Sequence, residues 1–241
     1  MSTIIVSDLH IGDHKSKHLR LYRFLESRPD ITSVIIAGDL FDLWVARAGR
    51  AFQQGKYLLD YLYSRFDGHI IYLTGNHDED LQYVTSLHGI PIKQFYHFNH
   101  ADKSIVVCHG HQYDNNFYLN NATVMAKANA WVANRADNWF KTDLRKLLVS
   151  LSDHVKVDVM GKILFSYELM LKKEFTGIYD IVITGHTHVP CIKVFNNLIY
   201  INAGDFLQNS TAVLITDEQV ELLAIDDAGS QVINSHLFKP T

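Results

Sequence analysis

Sulfur chemistry is scarce in this chain. Its 241 residues hold two cysteines, Cys108 and Cys191, and no CxxC pair. That argues against a thiolate zinc site and a disulfide framework and fits a reducing compartment. No apolar run approaches the roughly 20 residues that a bilayer-spanning helix needs. The N-terminus enters an apolar run at once, so no signal peptide is expected. A net charge of −4 with histidine neutral is no footprint for nucleic acid. There is no internal repeat, low-complexity segment or long linker. The expectation is a cytoplasmic protein with room for peripheral contact at the inner membrane. What is present is an apolar fraction of 47%, ample for a sizeable core, and 14 histidines, several beside glycine or aspartate.

The first half alternates strand and helix patterns. Thr3–Ser7 is a short β-branched run that reads as a buried strand. His18–Ser27 has helical spacing and Pro29 follows as a stop. Val34–Ala37 is a second strand, Phe52–Phe66 an amphipathic helix and His69–Thr74 a third strand, an order that favours parallel pairing with right-handed crossovers. A weaker strand is expected near Phe95–Phe98, and a clear one at Ser104–Cys108. From Asn115 to about Gly177 strand texture disappears. Helical spacing covers Ala122–Phe140, Lys141–Leu151 and Val155–Phe175, and nine Lys and Arg face six Asp and Glu there. Strand texture resumes at Asp180–Thr184. Cys191–Phe195, Leu198–Asn202, Thr211–Thr216 and Val220–Ile225 then read as antiparallel strands, with a tight turn at Asn196-Asn197. The helical block reads as an insertion rather than a separate domain.

Polar residues collect where these strands end. Asp8 and His10 follow the first strand at a spacing of two, which on extended chain points both side chains the same way. Asp39 closes the second strand, Asn76, His77 and Asp78 the third, His109 the next, and His186 and His188 repeat the spacing of two. Open α/β sheets place ligands at that edge. Asp8, His10, Asp39, Asn76, His109, His186 and His188 are oxygen and nitrogen donors suited to two divalent cations. Glycines 38, 75, 110 and 185 sit beside them, where the backbone must turn sharply. Two ions bring four positive charges against two from Asp8 and Asp39. The excess would attract phosphate and acidify a bridging water, giving a two-metal phosphoryl hydrolase that uses a metal-bridging hydroxide. Asp39 is the natural bridge, offering one oxygen to each ion. His77 can donate to a leaving oxygen, with Asp78 fixing its tautomer.

Ser7-Asp8-Leu9-His10, Gly38-Asp39, Gly75-Asn76-His77-Asp78, His109-Gly110-His111 and Gly185-His186-Thr187-His188 resemble, in order, the five blocks of the calcineurin-like metallophosphoesterases. The resemblance implies an α/β fold, a four-layer α-β-β-α sandwich with two mixed sheets, as a single domain over residues 1–241 with a helical lid at about 115–178. It also implies two metal sites, Asp8, His10, Asp39 and His188 around one ion and Asp39, Asn76, His109 and His186 around the other, with His77 on the catalytic histidine. Gly38-Asp39-Leu40-Phe41-Asp42-Leu43-Trp44, the single helical insertion and His186-Thr187-His188-Val189-Pro190 are similar to the UDP-2,3-diacylglucosamine hydrolases. Their lid grips acyl chains, and Asp114 falls where they use an acidic residue near the sugar. The chain departs from that subgroup in carrying His77 where they have arginine, and His111 where they have aspartate.

The chemistry expected is hydrolysis of a phosphoester or diphosphate with two divalent ions, manganese first, with zinc, iron, cobalt or nickel as alternatives. The substrate is a phosphate-containing small molecule or lipid, such as the diphosphate of a UDP-2,3-diacylglucosamine-like lipid, and the lid could touch a membrane. The rival readings are a broad phosphodiesterase or phosphatase for soluble nucleotides or phosphoproteins, a nuclease, and an inactive scaffold. His111 reads as a substrate contact or a helix-start residue, and Asp114 as a substrate contact or an N-cap. Trp44, Phe117, Trp131, Trp139 and Phe140 read as groove lining or ordinary core. Arg135, Lys141, Arg145 and Lys146 read as a solvated face or a contact for anionic lipid.

Overall fold

The computed structural model of the chain describes residues 2–83, 86, 87, 89–114 and 156–238. The strands are β1 (Thr3–Val6), β2 (Ser33–Ala37), β3 (Ile70–Leu73), β4 (Ser86–Leu87), β5 (Ile90–Lys93), β6 (Phe95–His100), β7 (Lys103–Cys108), β8 (Ile181–Thr184), β9 (Cys191–Phe195), β10 (Leu198–Asn202), β11 (Thr211–Ile215), β12 (Gln219–Asp226) and β13 (Gly229–Leu237). The described helices are α1 (His18–Ser27), α2 (Ala48–Phe66) and α3 (Lys156–Phe175). The chain divides into one unit of Met1–His111 with Phe175–Thr241 and a second of Gln112–Glu174. Helices expected at Ala122–Phe140 and Lys141–Leu151, with Phe117, Trp131, Trp139, Phe140, Arg135, Lys141, Arg145 and Lys146, lie outside the described residues.

In the first unit two mixed sheets form. The larger runs β13-β12-β11-β1-β2-β3-β5-β4 and the smaller β6-β7-β8-β10-β9. β1, β2, β3 and β5 pair in parallel, and β11 joins the other side of β1 antiparallel. The expectation that Leu198–Asn202 is purely antiparallel is corrected. β10 is antiparallel to β9 but parallel to β8, with Ile199 opposite Ile181. The hairpin at Asn196-Asn197 folds β10 back between β9 and β8, so it must run in the direction of β8.

Side-chain alternation along β1 and β2 explains the layering. Ile4, Val6, Val34 and Ile36 face one way and pack with Leu21 and Leu25 of α1 and Leu58 and Leu62 of α2. Ile5, Ile35 and Ala37 face the other way and meet Ile105, Val107, Ile181, Ile183 and Ile201 of the second sheet. Each such fully buried side chain contributes roughly 1.5–3 kcal/mol.

Arg65 of α2 closes the end of α1. Its guanidinium donates to the carbonyls of Leu25, Arg28 and Ile31 and lies 4.5 Å from the centre of the Phe66 ring. The last carbonyls of a helix lack intrahelical donors, and here one cation reaches Leu25 O in the last turn, Arg28 O at the C-cap and Ile31 O in the loop beyond. The parallel strands β1, β2 and β3 are thereby backed by a fixed helical layer, and their C-terminal ends open at one edge.

Candidate metal centre

β1 stops at Val6 because the chain turns out of extended geometry. Asp8 has φ 54° and His10 φ 48°, and Asp39, His186 and His188 also lie in the left-handed region, at 51°, 67° and 57°. Asp8 and His10 therefore project together from successive left-handed turns, not by strand alternation as expected. Such backbone costs on the order of 1–3 kcal/mol per non-glycine residue and persists only where the surroundings fix it. The surroundings do so here. Asp8 N–H donates to Gly38 O at 3.1 Å, and His10 N–H to Asp39 O at 2.9 Å. Gly38 has φ +93°, and a Cβ there would come within 2.4 Å of the His109 ring. A Cβ on Gly75 would come within 2.1 Å of Asp39 Oδ1.

The seven expected ligands converge in two sets. In the first, Asp8 Oδ1 lies 3.0 Å from His188 Nε2 and 3.6 Å from His10 Nε2, and those two imidazole nitrogens are 3.4 Å apart. In the second, Asn76 Oδ1 is 3.1 Å from both His109 Nε2 and His186 Nδ1. Asp39 stands between them. Its Oδ2 is 3.7 Å from His10 Nε2 and 3.3 Å from His109 Nε2. The other oxygen, Oδ1, accepts the His77 amide at 2.8 Å. Asp39 Oδ2 thus faces both sets.

Asp8 Oδ2 accepts from Ser7 Oγ at 2.6 Å and from the His186 amide at 3.0 Å. Asp8 Oδ1 is buried and accepts no hydrogen bond, although imidazole nitrogens surround it. Leaving a buried carboxylate oxygen in that state is costly, and a divalent cation would satisfy it. Among the described residues, donor atoms of Asp8, His10 and His188, of His10, Asp39 and His77, and of Asp8, Asp39 and His109 each lie within 4.8 Å of one another. The donor set is imidazole, carboxylate and amide with no thiolate, which fits divalent ions that take mixed nitrogen and oxygen ligands.

Electrostatics agree with this geometry. Burial would raise the Asp8 carboxyl, but His188 and His109 hold it well below the usual carboxylate range. Burial would likewise raise Asp39, which His109, then His10 and His77, hold far down. Burial would lower the His109 imidazole, yet Asp39 and Asp8 push it up to about 9. Carboxylates and imidazoles here stabilise each other's charge.

His77 sits at the rim of the pair. Its Nδ1 is 3.0 Å from Asp42 Oδ1, its ring stacks on Trp44 with centroids 3.7 Å apart, and its edge meets the His10 ring at 4.5 Å. Asp78, expected to orient it, is engaged elsewhere. The Asp78 carboxylate accepts from Gly75 N–H at 2.7 Å, from Phe41 N–H at 3.2 Å and from Tyr72 O–H at 2.5 Å. It therefore shapes the turn that carries Asn76, and burial together with Asp39 pushes its carboxyl up to about 6. Asp42 and Ser7 were not singled out by the sequence, though Asp42 lies three residues beyond Asp39. His111 has its ring 5.4 Å from His109 and 6.3 Å from His186, and burial with those two neighbours pushes its imidazole down to about 4. Asp114 belongs to the second unit.

The profile of the calcineurin-like phosphoesterases matches residues 1–190. No curated protein matches the chain. Among solved structures, the Escherichia coli phosphoesterase Yfce is similar at 13% identity and a TM-score of 0.57, covering 99% of this chain and 100% of that one. Vacuolar protein sorting 29 from Cryptosporidium parvum is similar at 14% identity and 0.54, covering 99% and 98%. Wild-type Vps29 from Entamoeba histolytica complexed with zinc is similar at 14% and 0.50, covering 99% and 100%. At these identities the structural likenesses speak to the fold.

Proposed function

This chain belongs to the calcineurin-like phosphoesterase family, whose members are metal-dependent phosphoesterases, and on that footing we propose how its own residues act. Asp8, His10, Asp39 and His188 would hold one divalent ion, and Asp39, Asn76, His109 and His186 the other. When bound, the two ions screen the phosphoryl oxygens and acidify the attacking water. The observation that carries this reading is Asp39 Oδ2, which faces His10 on one side and His109 on the other.

His77 donates a proton to the leaving oxygen. Asp42 orients its ring through Nδ1, which leaves Nε2 to face the substrate. Burial would raise the Asp42 carboxyl, but hydrogen bonds from His10 and His77 hold it well below the usual range, so it stays anionic beside the His77 ring. Trp44 covers one face of the His77 ring and limits its rotation. Asp78 supports the Gly75–Asn76 turn rather than the proton transfer, and His111, neutral beside His186, contacts the substrate.

Manganese is the proposed ion. Zinc is the next to test, since a similar structure was solved with it. The proposed substrate is the diphosphate of a UDP-2,3-diacylglucosamine-like lipid, supported by the Gly38–Trp44 and His186–Pro190 stretches and by the helical insertion at about 115–178, with Asp114 near the sugar. The second reading, a broad phosphodiesterase or phosphatase for soluble nucleotides or phosphoproteins, draws on His77 standing where that subgroup carries arginine. An assay with manganese separates them. Turnover of the lipid in detergent, with none of a small aryl phosphodiester, supports the lipid. Turnover of the aryl diester without detergent, unaffected by deleting residues 120–175, contradicts it.

A further inference from the structure

We infer that the end of β10 and the loop from it to β11 form the positioning element of the metal centre, with Asn202, the last residue of β10, and Asn209 in the loop as its positioning residues. The inference rests on the two-ion reading above and concerns residues beyond the matched range 1–190.

The turn Gly185-His186-Thr187-His188 needs outside support, because both of its histidines have positive φ and such backbone holds only where neighbours over-determine it. Asn202 supplies part of that support. Its side chain is wholly buried, and its Nδ2 donates to Gly185 O at 2.6 Å and to Thr187 Oγ1 at 3.0 Å, with Tyr200 Oη and Thr184 Oγ1 at 3.2 and 3.3 Å. Its Oδ1 accepts the Gly204 amide at 2.9 Å, so the amide cannot flip without losing both sides. Asn202 thereby fixes the turn that carries one histidine of each ligand set.

Asn209 acts on one set alone. Its Nδ2 donates to His188 O at 3.0 Å and to Asp205 Oδ2 at 2.6 Å. Asp205 is buried, and its Oδ1 accepts the amides of Leu207 and Gln208 at 2.6 and 2.5 Å, which fixes where Asn209 stands. From the same loop the Phe206 amide donates to Asp8 O at 3.0 Å. One loop thus grips the backbone of both Asp8 and His188, the residues whose side chains meet at 3.0 Å. It sets the width of the first ligand set from behind, through main-chain carbonyls and not through the ligand rings.

The test is calorimetric titration of manganese into the metal-stripped full-length chain, with the melting temperature of the metal-free form measured alongside. Asn209→Ala and Asn209→Asp, both at an exposed position, remove the donor to His188 O. Each is expected to weaken one of two binding steps about tenfold, the usual scale for residues that support ligands, and to leave the other step unchanged, while loss of the donor to Asp205 lowers the metal-free melting temperature, more in Asn209→Asp, where two carboxylates face each other. Asn202→Ala is expected to weaken both steps. Arg65→Ala, which loosens α1 without touching the centre, is expected to lower the melting temperature and move neither step. Two unchanged steps in both Asn209 variants overturn the inference alone. A wild-type chain that takes up no manganese or zinc overturns the two-ion reading, and the inference with it.

Discussion

Asp42 Oδ1 lies 3.0 Å from His77 Nδ1 while Asp42 Oδ2 lies 3.5 Å from His10 Nδ1. One carboxylate therefore touches both the proposed proton donor and a proposed metal ligand. Its position is fixed by the amides of Trp44 and Val45, which donate to Oδ1 at 3.2 and 3.1 Å.

Because His77 is read as the proton donor to the leaving group, its loss matters only where the leaving oxygen needs a proton. His77→Ala is expected to slow substrates with alkyl leaving groups by about 10²–10⁴-fold and nitrophenyl esters by less than about tenfold. Asp42→Asn follows the same pattern more weakly. Equal losses on both substrate types would contradict the role.

The metal-free centre binds protons where ions would sit. His109 is raised from 6.5 to about 9 in that form by Asp39 and Asp8. The stabilisation this gives the metal-free fold is fully present below pH 6.5 and is lost as pH rises through about 9. Loading an ion displaces that proton. Manganese affinity is therefore expected to rise with pH between about 6.5 and 9. Titration at pH 7 in buffers of differing ionisation heat should show proton release, and a buffer-independent heat would contradict it.

The five clusters of ligands were legible because each follows an apolar strand-like run, and three of them, at Asp39, Asn76 and His186, come directly after a turn glycine. The left-handed turns at Asp8 and His10 were not, since a spacing of two on a strand and a pair of αL turns write the same letters. Asp42 was hidden for a related reason. Asp78 is next to His77 in sequence, and only the fold shows that Asp42 is next to it in space. Asn202 and Asn209 left no motif at all, because they act through carbonyls that every residue has. β13, at the end of the larger sheet, was missed because its Gly229–Leu237 run is largely exposed on both faces and lacks the apolar alternation that marks a half-buried strand. β5 was hidden by Pro91, which ordinarily argues against a strand.

The two cysteines should differ sharply in reactivity. Burial pushes the Cys108 thiol up to about 12, while Cys191 is partly exposed. A thiolate reagent at pH 8 is expected to label Cys191 and spare Cys108 in the native chain. Rapid labelling of both would contradict the placement of β7 in the core.

The fold has its own test in Arg65. Arg65→Ala removes the donor to Leu25 O in the last turn of α1, to Arg28 O at its C-cap and to Ile31 O in the following loop, with a loss of about 2 kcal/mol. For a chain of this length that is a fall in Tm on the order of 4–8 °C. An unchanged Tm would contradict the closure of α1 by this side chain.

The central claim is that Asp39 joins two ion sites into one. Equilibrium dialysis of the metal-stripped chain against manganese, followed by elemental analysis, tests it most directly. The account predicts about two ions per wild-type chain and fewer than about one in Asp39→Ala, since both sites lose a shared ligand. A wild-type chain that binds none, or an Asp39→Ala chain that still binds two, would contradict it.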